Sequence, residues 1–130
     1  MSEKLFPKGE ENIAYSKFFI GKSFLYPMTN NPDCPIANVT FEAGCRNNWH
    51  KHPGGQILIC ISGRGWYQEE GKEAQELHPG DVVDIPINVK HWHGAAKDSE
   101  FSHIAIGVRP DKGVVEWLEP VCDAEYNKLK

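Results

Sequence analysis

Six histidines stand in a chain of 130 residues, and four of them form two short pairs, His50-Lys51-His52 and His91-Trp92-His93. In an extended strand successive side chains point to opposite faces, so each pair aims two imidazoles the same way. Neutral imidazole nitrogen is a borderline-soft donor for mid-sized transition metals. Two such pairs on neighbouring strands supply three or four nitrogens, enough to hold one divalent ion. A single pair reads more simply as an exposed surface feature. Two pairs, each beside a tryptophan (Trp49 and Trp92), point to a metal, because clustered buried imidazoles without one face desolvation and mutual repulsion.

His103 shares a strand parity with Phe101 and Ala105, and if that face turns inward it can act as a general base. A hydrogen-bonded core histidine is the equally good alternative. His93 follows His91 on the same face and has three open roles: a further ligand, a group that holds the ligands in place, or a proton shuttle. Ala37 and Val39 share the parity of Phe41 and line a small apolar pocket, with Phe101 as a further wall. Trp92 points the opposite way, into packing, and Trp49 and Trp66 read the same. His78, just before Pro79-Gly80, belongs to a turn.

The elements that must place these groups are short and strand-like. SKFFIGKSFLYPM, IANVTFE, GQILICISG, GWYQEEG, KEAQELH, DVVDIP, HWHGAA and EFSHIAIGV are apolar or alternating runs punctuated by Gly, Pro and Asn. Eight to ten such strands predict an all-β fold, closed or sandwiched. Residues 1–14 read as an N-terminal arm or edge strand and 15–130 as the domain. Asp123 is expected to cap a short C-terminal helix over AEYNKLK, with Trp117 and Leu118 tying the tail to the body. In GQILICISG, Ile57, Ile59 and Ile61 occupy one parity and Leu58 and Cys60 the other. Both faces are therefore covered, the second by another sheet or another subunit, and a homodimer is the natural solution for a small protein.

Length and composition bound the rest. One domain is expected, with 40% apolar and 25% charged residues and a net charge of -4. Without a basic patch, nucleic acid and anionic membranes are poor partners. No apolar run reaches the roughly 20 residues of a bilayer span, and the first residues lack a secretory core. Cys34, Cys45, Cys60 and Cys122 show no metal or redox spacing, so a cytoplasmic protein with free thiols is expected, Cys60 being a small core side chain.

Two segments carry a family resemblance. Gly44, His50-x-His52, Gln56 and Gly63 resemble the first cupin motif, G(x)5HxH(x)3-4E(x)6G. Gly80, Pro86 and His91 resemble the second, G(x)5PxG(x)2H(x)3N. The match runs from Gly44 to Ala95, with Gln56, Asn88 and Ala95 departing from the usual Glu, Gly and Asn. The resemblance implies a single-domain cupin jelly-roll β-barrel and one divalent metal held by His50, His52, Gln56 and His91. Manganese is the first expectation, with Fe, Ni, Co and Zn accepting the same donors. A neutral Gln oxygen leaves more positive charge on the ion, which is held less tightly but is a stronger Lewis acid.

WHKHPGGQILI, HPGD, HWHGAA and FSHIAIG further resemble the small bacterial cupins that include manganese-dependent hydroxynitrile lyases, and sequences found beside carboxymuconolactone-decarboxylase-like domains. That similarity implies a lyase acting on a small-molecule substrate, with His103 and His93 as catalytic groups. An iron-dependent oxygenase and a non-enzymatic small-molecule sensor are the alternatives.

Overall fold

The computed structural model describes residues 5–130; the first four residues of the expected N-terminal arm lie outside the described residues. In chain order the strands are β1 (Glu10–Glu11), β2 (Phe19–Ile20), β3 (Ser23–Pro27), β4 (Ile36–Phe41), β5 (Arg46–Asn47), β6 (His50–Lys51) and β7 (Gln56–Gly63). They continue as β8 (Gly65–Glu69), β9 (Gln75–Leu77), β10 (Val82–Ile85), β11 (His91–Ala95), β12 (Phe101–Gly107) and β13 (Glu116–Trp117), before one short helix, α1 (Asp123–Tyr126). Among the described residues no helix is long and apolar enough to cross a membrane.

All strand pairings are antiparallel and fall into two sheets. The first has the order β1-β3-β4-β12-β7-β10. In the second, β11 is central, with β8 and then β9 on one side and β5 and β6 on the other, flanked by β2 and β13. The expectation of a jelly-roll β-barrel is therefore corrected: the sheets face each other and do not close. Among the described residues no ladder joins them, and each keeps its own edges. Those edges are mostly two or three residues long, which limits the unpaired backbone they present.

At several crossings the chain changes sheets at a glycine. Gly63, the last residue of β7, has φ +76°, and a Cβ there would sit 1.7 Å from the carbonyl oxygen of Glu100, so no other residue fits. Gly21, at φ +93°, takes the chain from β2 in one sheet to β3 in the other. SKFFIGKSFLYPM is thus a 3₁₀ turn (Ser16–Phe18) and two strands in different sheets.

Between the sheets lies the main core, built on Phe41, Leu58, Leu77, Ile85, Ala95 and Phe101. Cys60 packs in it, as its place in an apolar run implied, and all four cysteines are free thiols. Trp92 points out of the back of the second sheet, fully buried with Val121 and Tyr126 beneath the C-terminal tail, and Trp49 and Trp66 pack beside them. Arg46 ties this layer down: it donates to the Val121 carbonyl, pairs with Asp123 and stacks over the Tyr126 ring. The Asp123 carboxylate is engaged there and caps nothing. Cys122 is the residue at the helix N-cap, and the helix is a single turn.

Candidate metal centre

The histidines converge between the sheets. His91 and His93 extend from one face of β11, His50 from β6 with His52 just beyond it, and His103 from β12 in the opposite sheet. His91 lies opposite His50 in the ladder, and their ring centroids are 4.2 Å apart. Ring nitrogens of His50, His91 and His93 lie within 4.8 Å of one another, a cluster able to hold one divalent ion. His52 borders the same cluster, its ring 5.0 Å from His50 and 5.6 Å from His91. His103 meets His93 edge-on at 4.8 Å, beside a register shift between Ser102 and His103.

Hydrogen bonds set which nitrogens face inward. His50 Nδ1–H donates to the Asn48 carbonyl at 2.7 Å, and His91 Nδ1–H donates to the Val89 carbonyl at 2.8 Å. A carbonyl only accepts, so the proton is on Nδ1 in both rings and each Nε2 keeps a free lone pair. His91 Nε2 and Gln56 Oε1 are buried without a hydrogen-bond partner, as are both nitrogens of His103. Buried lone pairs of this kind are costly unless something binds them. A divalent metal fits this donor set.

Burial also keeps the rings neutral. It is the main cause that pushes His52 down to about 4 and His103 down to about 3, with His91 adding to the effect on His52. His91 is lowered by burial, and His50 and His93 lie well below the usual range through burial and then the neighbouring histidines. At neutral pH these imidazoles offer lone pairs without first shedding a proton.

The cluster opens onto a cavity of about 190 Å³ that continues into an outer space of about 480 Å³. Val39 lines both and Ala37 the outer one. Phe101 lies deeper, packed against Phe41 and His103, and reaches neither. Among the described residues that line these cavities, none is Asp, Glu, Lys or Arg.

Sequence reasoning missed several walls. Tyr15 and Phe19 close one side, and Val115 and Trp117 another. The Trp117 indole sits 4.8 Å from His50 and stacks on Phe18 at 4.7 Å, so the tail strand backs the histidine it pairs with. Asn47 also faces in. Its signal was hidden because β5 and β6 are separated by Asn48 and Trp49, and strict alternation back from His50 would have turned Asn47 outward.

A two-sheet all-β scaffold that presents clustered histidines to an internal cavity defines the class. Residues 37–107 match the family model for the cupin domain, and the chain belongs to the cupin family. The (R)-mandelonitrile lyase of Granulicella tundricola is 45% identical over 114 residues, covering 85% of this chain and 87% of that protein. The crystal structure of a cupin-like protein from Thermotoga maritima superposes with a TM-score of 0.92 at 44% identity, covering 97% and 96% of the two chains. An acireductone dioxygenase of Bacillus cytotoxicus is 32% identical over 63 residues, 45% of this chain and 37% of that protein. The histidine cluster and the lyase relative together support metal-dependent enzymatic chemistry on a small organic substrate.

Proposed function

We propose that the protein is a metal-dependent lyase for small neutral molecules, cleaving a 2-hydroxynitrile to an aldehyde or ketone and hydrogen cyanide. The observation that carries this reading is the uncharged, largely apolar cavity that ends on the histidines, His103 among them with both ring nitrogens unpartnered. Such walls favour a compact apolar substrate and offer a carboxylate no cationic side chain. The similarity to a mandelonitrile lyase supports the same choice.

Nε2 of His50, His52 and His91, with Gln56 Oε1, would hold the ion, manganese by preference. When bound, the ion supplies Lewis-acid stabilisation of negative charge developing on the substrate. The chain's own residues carry the proton. His103, neutral and with free ring nitrogens, takes the hydroxyl proton as the carbonyl forms and the C–C bond to the nitrile breaks. The bond's electron pair leaves on cyanide, which then receives that proton and departs as hydrogen cyanide. The burial that keeps His103 neutral also weakens it as a base. Developing alkoxide charge beside the ring offsets this, since a nearby anion favours imidazolium. His93 stands next to His103 and stabilises the departing anion by hydrogen bonding. Tyr15, Phe19 and Val39 exclude water from the aldehyde end.

The test is release of benzaldehyde from mandelonitrile by manganese-loaded protein. Turnover is expected, with loss on chelation and in His103→Ala; no turnover with manganese, iron, cobalt, nickel or zinc refutes the lyase reading. The partial similarity to acireductone dioxygenases supports an oxygenase as the second reading. Substrate-dependent oxygen consumption by the iron form selects it, and metal binding without any turnover selects a sensor. For the assembled protein we propose a homodimer. Ile57, Ile59, Ile104 and Ile106 are neighbours in register on β7 and β12 and stay only half-buried, an apolar face that a second copy would cover.

A further inference from the structure

Two strands beside the cavity lose side-chain volume in step. In the ladder between β4 and β12, Phe41 pairs with Phe101, Val39 with His103 and Ala37 with Ala105, and β12 then ends on Gly107. The two phenylalanines are fully buried, whereas Ala37, Ala105 and Gly107 are only half-buried. Residues two apart share a face, so this taper widens the space from the histidines toward the mouth. The outcome is a chamber of about 190 Å³ against the imidazoles and a larger one of about 480 Å³ outside it. A site for a drug-sized ligand encloses roughly 300–1,000 Å³, which the inner chamber alone does not reach and the two together do.

The outer chamber suits hydrocarbon. Four of its walls are prolines, Pro27, Pro35, Pro53 and Pro110, which have no N–H to donate. Among its described lining residues the polar side chains are His52, Gln56, Tyr15 and Thr29, and Thr29 Oγ1 already accepts the Asn31 N–H at 3.1 Å. A charged or sugar-like group would find too few partners there.

We propose that the substrate has two parts: a compact end whose hydroxyl-bearing carbon lies among the histidines, and an uncharged hydrocarbon group of several carbons lying over Ala37, Ala105 and Gly107. The inference deepens the lyase reading and rests on it for the chemistry of the reacting end. Leu25, Val39, Ala105 and Val115 line both chambers and form the passage between the two parts. Burial of the remote group holds the reacting carbon against the histidines without touching the bond that breaks.

The test compares benzyl alcohol with 4-butylbenzyl alcohol, unreactive carriers of the same hydroxyl-bearing carbon, by calorimetry on manganese-loaded protein. Each methylene half removed from water contributes about twofold in affinity, so the butyl compound should bind about tenfold more tightly or better. Its position is read by nuclear Overhauser contacts on zinc-loaded protein with ¹³C-labelled alanine methyls. The butyl protons should meet Ala37, which lines the outer chamber and not the inner one. Ala37→Phe, which fills the floor of that chamber, should bring the two affinities together. A native ratio under about twofold, or a butyl group that makes no contact with Ala37, overturns the proposal, and the native protein decides it even if the variant does not fold. Mandelonitrile and its 4-butyl analogue separate this outcome from the lyase reading. Tight butyl binding at Ala37 without turnover of either nitrile sinks the lyase and leaves the two-part ligand standing. Turnover of both nitriles with no gain for the butyl compound sinks the two-part ligand alone.

Discussion

His103 gives the structure a calculable sensitivity to acid. Its ring is 1% exposed, neither nitrogen has a partner, and burial lowers it from the ordinary 6.5 to about 3. The unfolded chain takes up a proton near pH 6.5 whereas the folded chain does not, so stability is full above that point and falls as the pH drops toward the folded value. Between pH 7 and pH 5 this one ring costs about 2 kcal/mol, because the folded form stays neutral throughout. Urea unfolding of chelator-treated protein, followed by tryptophan fluorescence at the two pH values, measures the slope. His50, His52, His91 and His93 act with the same sign, so the informative quantity is the difference from His103→Leu, which cannot titrate. The variant should lose about 2 kcal/mol less between the two pH values. Equal losses in native protein and variant would show that the His103 ring is not held neutral by burial.

Three further outcomes are expected. Trp92→Ala empties the centre of the outer layer beneath the tail and should cost about 3–5 kcal/mol in urea unfolding, with Tyr126 losing its ring contact. Manganese at 100 times its dissociation constant should stabilise the native protein by about 2.7 kcal/mol, read as a rise in thermal midpoint, and His91→Ala should abolish the rise. Light scattering is expected to give a dimer for the native protein and a monomer for Ile59→Glu with Ile104→Glu, on the half-buried outer face; a native monomer, or unchanged mass in the variant, counts against that face.

Much of this architecture is legible in the sequence because it rests on period-two alternation and turn residues. The runs from Ile36 to Gly107 emerge as short strands, and His91 and His93 face the interior while Trp92 faces away. Closure was not legible. Short alternating strands with glycine turns have the same pattern whether the last ladder joins or two sheets face each other, and only backbone partners tell them apart. The depth of Phe101 was also hidden, since parity gives a side but not a distance from the cavity. Asn47 was lost to a break in a strand, and the walls at Tyr15 and Val115 come from segments with little periodicity at all.

Those walls have an evolutionary corollary. The span shared with other cupins, 37–107, supplies every imidazole of the cluster, whereas Tyr15, Phe19, Val115 and Trp117 come from outside it. The flanks thereby add wall to a cavity whose other lining, Ala37, Val39 and Ala105 among it, comes from the shared span. Drift at Tyr15, Phe19 or Val115 can reshape the cavity without replacing an imidazole, whereas Trp117 packs on His50 and ties the tail to the cluster itself.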